Sequence, residues 1–123
     1  LFRSPTLIHD VLTKENPTVW NMEPKRDFIF TTDAASAIVK LLDTDFTGNI
    51  NLGSGSMSSI GDIAKIIEEI SGKKITSLNK KVTGVMEFVA DISLLKKLTG
   101  WSPKYSLREG FIKTYSIMKA NLK

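Results

Sequence analysis

Lys25-Arg26-Asp27-Phe28-Ile29-Phe30-Thr31-Thr32-Asp33 is the stretch from which the rest of the chain can be read. Phe28 and Phe30 alternate with Ile29, the period-two pattern of a buried strand, so the spacing predicts a short strand over residues 27–30. Thr31, Thr32 and Asp33 follow with side-chain oxygens able to accept from the free N–H groups of a helix start. Ala34, Ala37, Ile38, Leu41 and Leu42 then recur at helical spacing. The stretch therefore reads as a strand that runs directly into a helix. Arg26 is the odd member, a permanent charge at the mouth of an apolar strand. Its five-donor fork suits a phosphate or a carboxylate. From this stretch alone, a solvated strand-end arginine is the simpler reading.

Upstream, Ser4-Pro5 has the form of a helix start, a capping hydroxyl followed by proline at the first helical position. Leu7, Ile8, Val11 and Leu12 form one apolar face of that helix. It should stop before Asn16-Pro17, because a residue preceding proline is pushed out of helical geometry. Thr18-Val19-Trp20 reads as extended and Asn21-Met22-Glu23-Pro24 as a turn.

Downstream, residues 43–48 are a polar loop, 49–52 a strand, and 53–58 a glycine–serine loop. Ile60, Ile63, Ala64, Ile67 and Ile70 line a helix face, with Ser59 and Asp62 in capping-box spacing and Gly72 as a left-handed cap. Residues 75–78 read as a further strand, so strand, helix and strand over 49–78 suggest a parallel crossover. Residues 87–90 read as another strand, and Asp91 to Leu98 as a short helix ended by Gly100. Ser106 and Glu109 form a second capping box, and Leu107, Phe111, Tyr115, Met118 and Leu122 the inner face of the last helix. Trp101 reads as an apolar plug at the end of the short helix. No internal repeat or low-complexity segment is visible.

With 123 residues, 41% of them hydrophobic and 24% charged, the chain has the size and composition of one globular domain. No apolar run is long enough to span a membrane, and no signal-peptide pattern is present. The absence of cysteine rules out disulfides and thiolate chemistry and fits a reducing, cytoplasmic compartment. Seventeen basic against thirteen acidic residues leave a scattered net charge of +4. That balance permits anionic ligands without arguing for nucleic acid. A chain that begins at Leu1 rather than Met is read as a piece of a longer protein or a processed product.

Four stretches, in order, carry a family resemblance: Arg26-Asp27-Phe28-Ile29-Phe30 with Asp33; Asn51-Leu52-Gly53-Ser54-Gly55 leading to Ser59-Ile60; Ala90-Asp91-Ile92-Ser93 leading to Leu98-Thr99-Gly100-Trp101-Ser102-Pro103; and Tyr105-Ser106-Leu107-Arg108-Glu109-Gly110-Phe111. Together they resemble the C-terminal part of the extended short-chain dehydrogenase/reductases, the NAD-dependent sugar-nucleotide epimerases and dehydratases. The resemblance covers nearly the whole chain. It implies that residues 1–123 are a substrate-binding C-terminal region lacking most of the Rossmann domain: mixed α/β, with a small sheet and about four main helices. It further implies a nucleotide-diphosphate sugar as ligand, NAD or NADP bound by the missing N-terminal Rossmann domain and not by this chain, no membrane or nucleic-acid partner, and compatibility with a homodimer.

The same resemblance assigns site residues. Arg26 corresponds to a pyrophosphate ligand. Lys81 stands where many members have Arg in Arg-Pro-Gly-Asp; here the run is Lys81-Val82-Thr83-Gly84, which keeps the charge, loses the bidentate fork and has Gly84 in place of the acid. Trp20 falls near a nucleobase position, where an indole can stack on a base or pack in the core. Ser59 opens a helix whose N–H groups and positive dipole end favour a phosphate, or simply caps that helix.

Three other motifs are read as decoys. The 53–58 loop approaches a dinucleotide fingerprint, but Ser58 stands at the third glycine position and no acid lies in 75–81. Tyr115-x-x-x-Lys119 has the catalytic spacing of the reductases but lies on the terminal amphipathic helix. His9 is the single histidine and has no second ligand of metal-binding type. No catalytic, cofactor or metal residue is expected in this chain. A free-standing nucleotide- or anion-binding regulatory module, and a small nucleotide-binding domain using the 53–58 loop, are the competing readings.

Overall fold

The computed structural model describes residues 4–122. The elements in chain order are α1 (Ser4–Thr13), β1 (Thr18–Val19), β2 (Lys25–Asp27), α2 (Thr31–Leu42), β3 (Met57–Ser59), α3 (Ile60–Ser71), β4 (Thr76–Ser77), α4 (Ser93–Thr99) and α5 (Leu107–Asn121). The architecture is mixed α/β with little sheet: β1 pairs parallel with β4, and β2 pairs antiparallel with β3. Among the described residues no helix is long and apolar enough to cross a membrane.

Two apolar clusters hold the elements. In the larger, α1, α3 and α5 pack through Leu7, Ile8 and Val11, through Ile60, Ile63, Ala64 and Ile67, and through Phe111 and Tyr115. These are the faces that helical periodicity selects. Ile8, Ile63 and Ile67 are fully buried, each contributing about 1.5–3 kcal/mol of transfer free energy. In the smaller, Trp101 seals Ala37 of α2 against Ile92 and Leu95, and its indole N–H donates to Ser36 Oγ at 2.8 Å. The expected plug is thus also an anchored one.

Helix ends follow the expected chemistry in four places. Both capping boxes form, Ser59 with Asp62 and Ser106 with Glu109. Gly72 and Gly100 close α3 and α4 in the left-handed region, at φ 72° and 65°. The start of α2 differs. Its N-cap is Phe30, with no side-chain cap. The Asp33 carboxylate turns instead to the main-chain N–H groups of Lys104 and Tyr105, at 3.1 and 3.0 Å.

The strands also differ from the pattern, for one shared reason: a ladder needs a neighbour. β2 covers residues 25–27, not 27–30, because β3 runs out opposite Asp27. The Phe28–Phe30 alternation is realised as packing alone. Phe28 meets Phe111 edge-on at 6.0 Å, Phe30 meets Tyr105 at 5.0 Å, and Ile29 joins the smaller cluster. Residues 49–52 form no strand, although Ile50 and Leu52 pack on that cluster. The 49–78 crossover is therefore absent; β4 joins β1 instead. Residues 87–90 contribute only a single bridge, Lys25 to Glu87. At the end of α5, Leu122 is 47% exposed, so the inner face stops at Met118. On α2, Ile38 and Leu42 keep helical spacing but face outward.

Candidate functional site

The β2–β3 ladder fixes the geometry around Arg26. Lys25 lies opposite Ser59, Arg26 opposite Ser58, and Asp27 opposite Met57. Successive strand side chains alternate faces, so Arg26 points to one side and Lys25, Asp27 and Ser59 belong to the other. On the second edge of β2, Lys25 N–H donates to the Met86 carbonyl at 2.8 Å and Phe88 N–H donates to the Lys25 carbonyl at 3.2 Å. Residues 85–88 thereby lie alongside β2.

Arg26 grips that segment. Its Nη1 donates to the carbonyls of Lys25 (2.7 Å) and Met86 (3.1 Å), and its Nη2 to that of Val85 (2.7 Å). A guanidinium has five N–H donors. The Nε–H and one Nη2–H have no protein acceptor among the described residues. Arg26 is half-buried, and its position is set by main-chain carbonyls, which cannot swing away.

The other candidates fall in two places. Trp20 is 64% exposed and does not join the core. The ammonium of Lys80 lies 4.8 Å from its ring centroid, Lys80 N–H donates to the Trp20 carbonyl at 2.9 Å, and Asn21 Nδ2 donates to the Lys80 carbonyl at 3.0 Å. Trp20 and the Lys80–Lys81 pair therefore form one aromatic and basic corner, with Lys81 exposed. Ser59 is engaged in its own capping box: its hydroxyl accepts from Asp62 N–H and its N–H donates to Asp62 Oδ2, both at 2.9 Å. The Ser59 main-chain N–H, and after it the Ser59 hydroxyl, hold the Asp62 carboxyl below the ordinary carboxylate range. Across the ladder, the Glu87 carboxylate 2.7 Å away raises the Lys25 ammonium above its usual value.

Asp27 is the residue that motif reading passed over. Its carboxylate accepts from Ser54 N–H (2.8 Å), Ser54 Oγ (2.6 Å), Gly55 N–H (3.0 Å) and Ala90 N–H (3.2 Å). Three separate chain segments meet there. A Cβ at position 53 would stand 2.5 Å from Asp27 Oδ2 and 2.6 Å from Ala90 Cβ, so only glycine allows this approach. An aspartate in an apolar strand facing a Ser-Gly loop that lacks its own acid is the signal that could have found it.

The decoys are accounted for by position. Tyr115 is buried in the larger cluster, with the Lys119 ammonium 6.0 Å from its ring centroid. His9 is exposed, its Nδ1 3.8 Å from Asp10. No group of three or more potential metal ligands occurs among the described residues.

Fold and site together define an α/β domain that presents an arginine from a short strand flanked by β3 and by residues 85–88. The model of the NAD dependent epimerase/dehydratase family matches residues 3–53. The chain is 37% identical over 106 residues to GDP-L-fucose synthase 1 of Arabidopsis thaliana, covering 82% of this chain and 32% of that protein. It is 37% identical over 100 residues to a UDP-glucuronate 4-epimerase of Thermodesulfobacterium geofontis, covering 79% and 31%. A solved UDP-glucuronic acid 4-epimerase variant from Bacillus cereus, in complex with UDP-4-deoxy-4-fluoro-glucuronic acid and NAD, superposes with a TM-score of 0.81. Its identity is 33%, over 94% of this chain and 38% of that one. Over most of its length the chain is similar to members of the NAD-dependent epimerase/dehydratase family of extended short-chain dehydrogenase/reductases. It spans about a third of the length of the curated relatives it matches.

The family's cofactor does not fit the one loop here that resembles its cradle. A pyrophosphate site needs free N–H groups leading onto a helix start. In the 53–58 loop, Ser54 and Gly55 N–H donate to Asp27, Ser56 N–H donates to Ser54 Oγ, and β3 intervenes before α3.

Proposed function

We propose that this chain is the nucleotide-sugar-binding, C-terminal region of an NAD(P)-dependent sugar-nucleotide epimerase or dehydratase. Arg26 anchors the diphosphate, Trp20 and Lys81 lie toward the nucleoside, and Ser59 closes the helix behind the site. Cofactor, acid/base pair and hydride chemistry belong to a Rossmann domain outside these residues. The protein is cytoplasmic and has no nucleic-acid or membrane partner; the reading accommodates a homodimer. The relatives named above act on nucleotide sugars or hold one, which supports this reading. The observation that carries it is the Arg26 guanidinium: three carbonyl bonds orient it, and the Nε–H and one Nη2–H remain to meet phosphate oxygens.

Hydrogen bonds to charged groups contribute roughly 1.5–3 kcal/mol each in net terms. Losing the fork should therefore weaken diphosphate binding by about tenfold to a hundredfold. Arg26→Lys keeps part of the affinity, Arg26→Ala little. Lys81→Ala costs less, because a flexible exposed ammonium loses more rotamer freedom on binding. The test is calorimetric titration of the whole protein carrying this chain with UDP and with GDP. A dissociation constant unchanged by Arg26→Ala overturns the assignment.

A further inference from the structure

We propose that Asp27 is a positioning residue for the anion site, acting on Arg26 through residues 85–90. The inference rests on the reading of Arg26 as the phosphate anchor. It starts from a partly buried connection that this reading leaves unused. Asp27 and Arg26 point to opposite faces of β2, so they do not touch through their side chains. They hold the same segment at its two ends. Arg26 grips the carbonyls of Val85 and Met86, and Asp27 Oδ2 accepts from Ala90 N–H. Between them, Phe88 N–H is bonded to the Lys25 carbonyl. With Lys25 also bonded to the Met86 carbonyl and to Glu87, the segment is pinned to β2 along its length, and Asp27 holds the end nearest Ala90.

The second oxygen explains why the pin is firm. Oδ1 accepts both donors of Ser54, and Oδ2 also accepts Gly55 N–H, which locks the loop that leads into β3. β3 in turn pairs with β2 across from Arg26. An isosteric amide cannot substitute. In either orientation its NH₂ group faces at least one main-chain N–H, Ser54 on one side or Gly55 and Ala90 on the other, and these donors cannot reorient. Asp27→Asn therefore releases one side of the knot while leaving volume and packing in place.

The experiment has two readouts on the whole protein carrying this chain. The first is the Arg26 Nε–H resonance in a ¹H–¹⁵N spectrum, identified by its loss in Arg26→Lys. Asp27→Asn should shift or broaden it, and the amides of residues 85–90 should exchange faster. The second is UDP affinity in a double-mutant cycle. Asp27→Asn should weaken binding about tenfold in the wild-type background and less than about twofold in the Arg26→Ala background. An unchanged Nε–H signal, or equal losses in both backgrounds, overturns the proposal. If the wild type binds neither UDP nor GDP, the phosphate reading fails by itself, and the Nε–H signal still decides the coupling. Should Asp27→Asn fail to fold, Ser54→Ala removes one of the four bonds and must move both readouts in the same direction by less.

Discussion

Asp33 shows how much a single side chain carries in this fold. It is 3% exposed, and its carboxylate accepts two main-chain N–H groups from the segment between α4 and α5. Removing the acceptor leaves two partly buried donors unpaired, at about 1–3 kcal/mol each. Asp33→Ala should lower unfolding free energy by about 3 kcal/mol, and Asp33→Asn by less, since one acceptor remains. Urea denaturation with an unchanged slope measures both, and a loss below about 0.5 kcal/mol for alanine would show that water replaces the carboxylate. Both acids of the quoted stretch thus tie β2 and α2 to distant chain: Asp27 to residues 27, 28 and 63 positions away, Asp33 to residues 71 and 72 positions away. Neither tie is visible as a local spacing, which is why capping was the natural reading of Asp33 and none was available for Asp27.

At the scale of the element, α3 shows what local chemistry does settle. Its cap, its apolar face and its left-handed terminus all rest on contacts within a few residues, and each formed as the spacing predicts. Ser59→Ala should cost about 1 kcal/mol of stability at neutral pH. The pH dependence has a definite sign. The bonds from Ser59 depress the Asp62 carboxyl in the folded state, so its contribution is complete above the unfolded carboxylate value near 4 and is lost as pH falls through the lower folded value. The stability gap between wild type and Ser59→Ala should therefore narrow below about pH 4. Thermal melts across pH 2–7 test this, and a gap that widens on acidification would contradict it. Lys25 and Glu87 are both about half-exposed, so their ion pair adds little to stability and mainly marks the register of the 85–88 segment.

For the whole molecule, the exposed apolar side chains are the informative feature. Ile38, Val39 and Leu42 form an outward row on α2, Ile112 and Ile117 lie outward on α5, and Val85, Phe88 and Val89 flank the Arg26 edge. Grouped exposure of this kind marks surfaces that another chain or domain covers. The 123-residue chain alone should bind ANS and associate at high concentration. Ile38→Glu with Leu42→Glu should reduce both effects with little change in melting temperature, because those side chains bury little in the fold. Light scattering and dye fluorescence check this, and a strictly monomeric, dye-negative chain counts against it.

The sequence alone determined the helices, the capping boxes of α3 and α5 and most of the inward residues, because these depend on periodicities of three to four residues and on caps that close within one turn. It also singled out Arg26, whose charge is out of place in an apolar strand. The tertiary structure alone decided which segments became ladders, since strand pairing joins β1 to β4 across 58 positions of sequence and β2 to β3 across 30 to 34. It alone decided that Asp27 and Asp33 serve distant main-chain donors, that the 53–58 loop spends its N–H groups on Asp27, and that the Arg26 fork is aimed by the carbonyls of residues 85 and 86. Each is a hydrogen bond between groups far apart in the chain, and such pairings become definite only when the packed helices bring the segments within about 3 Å of one another.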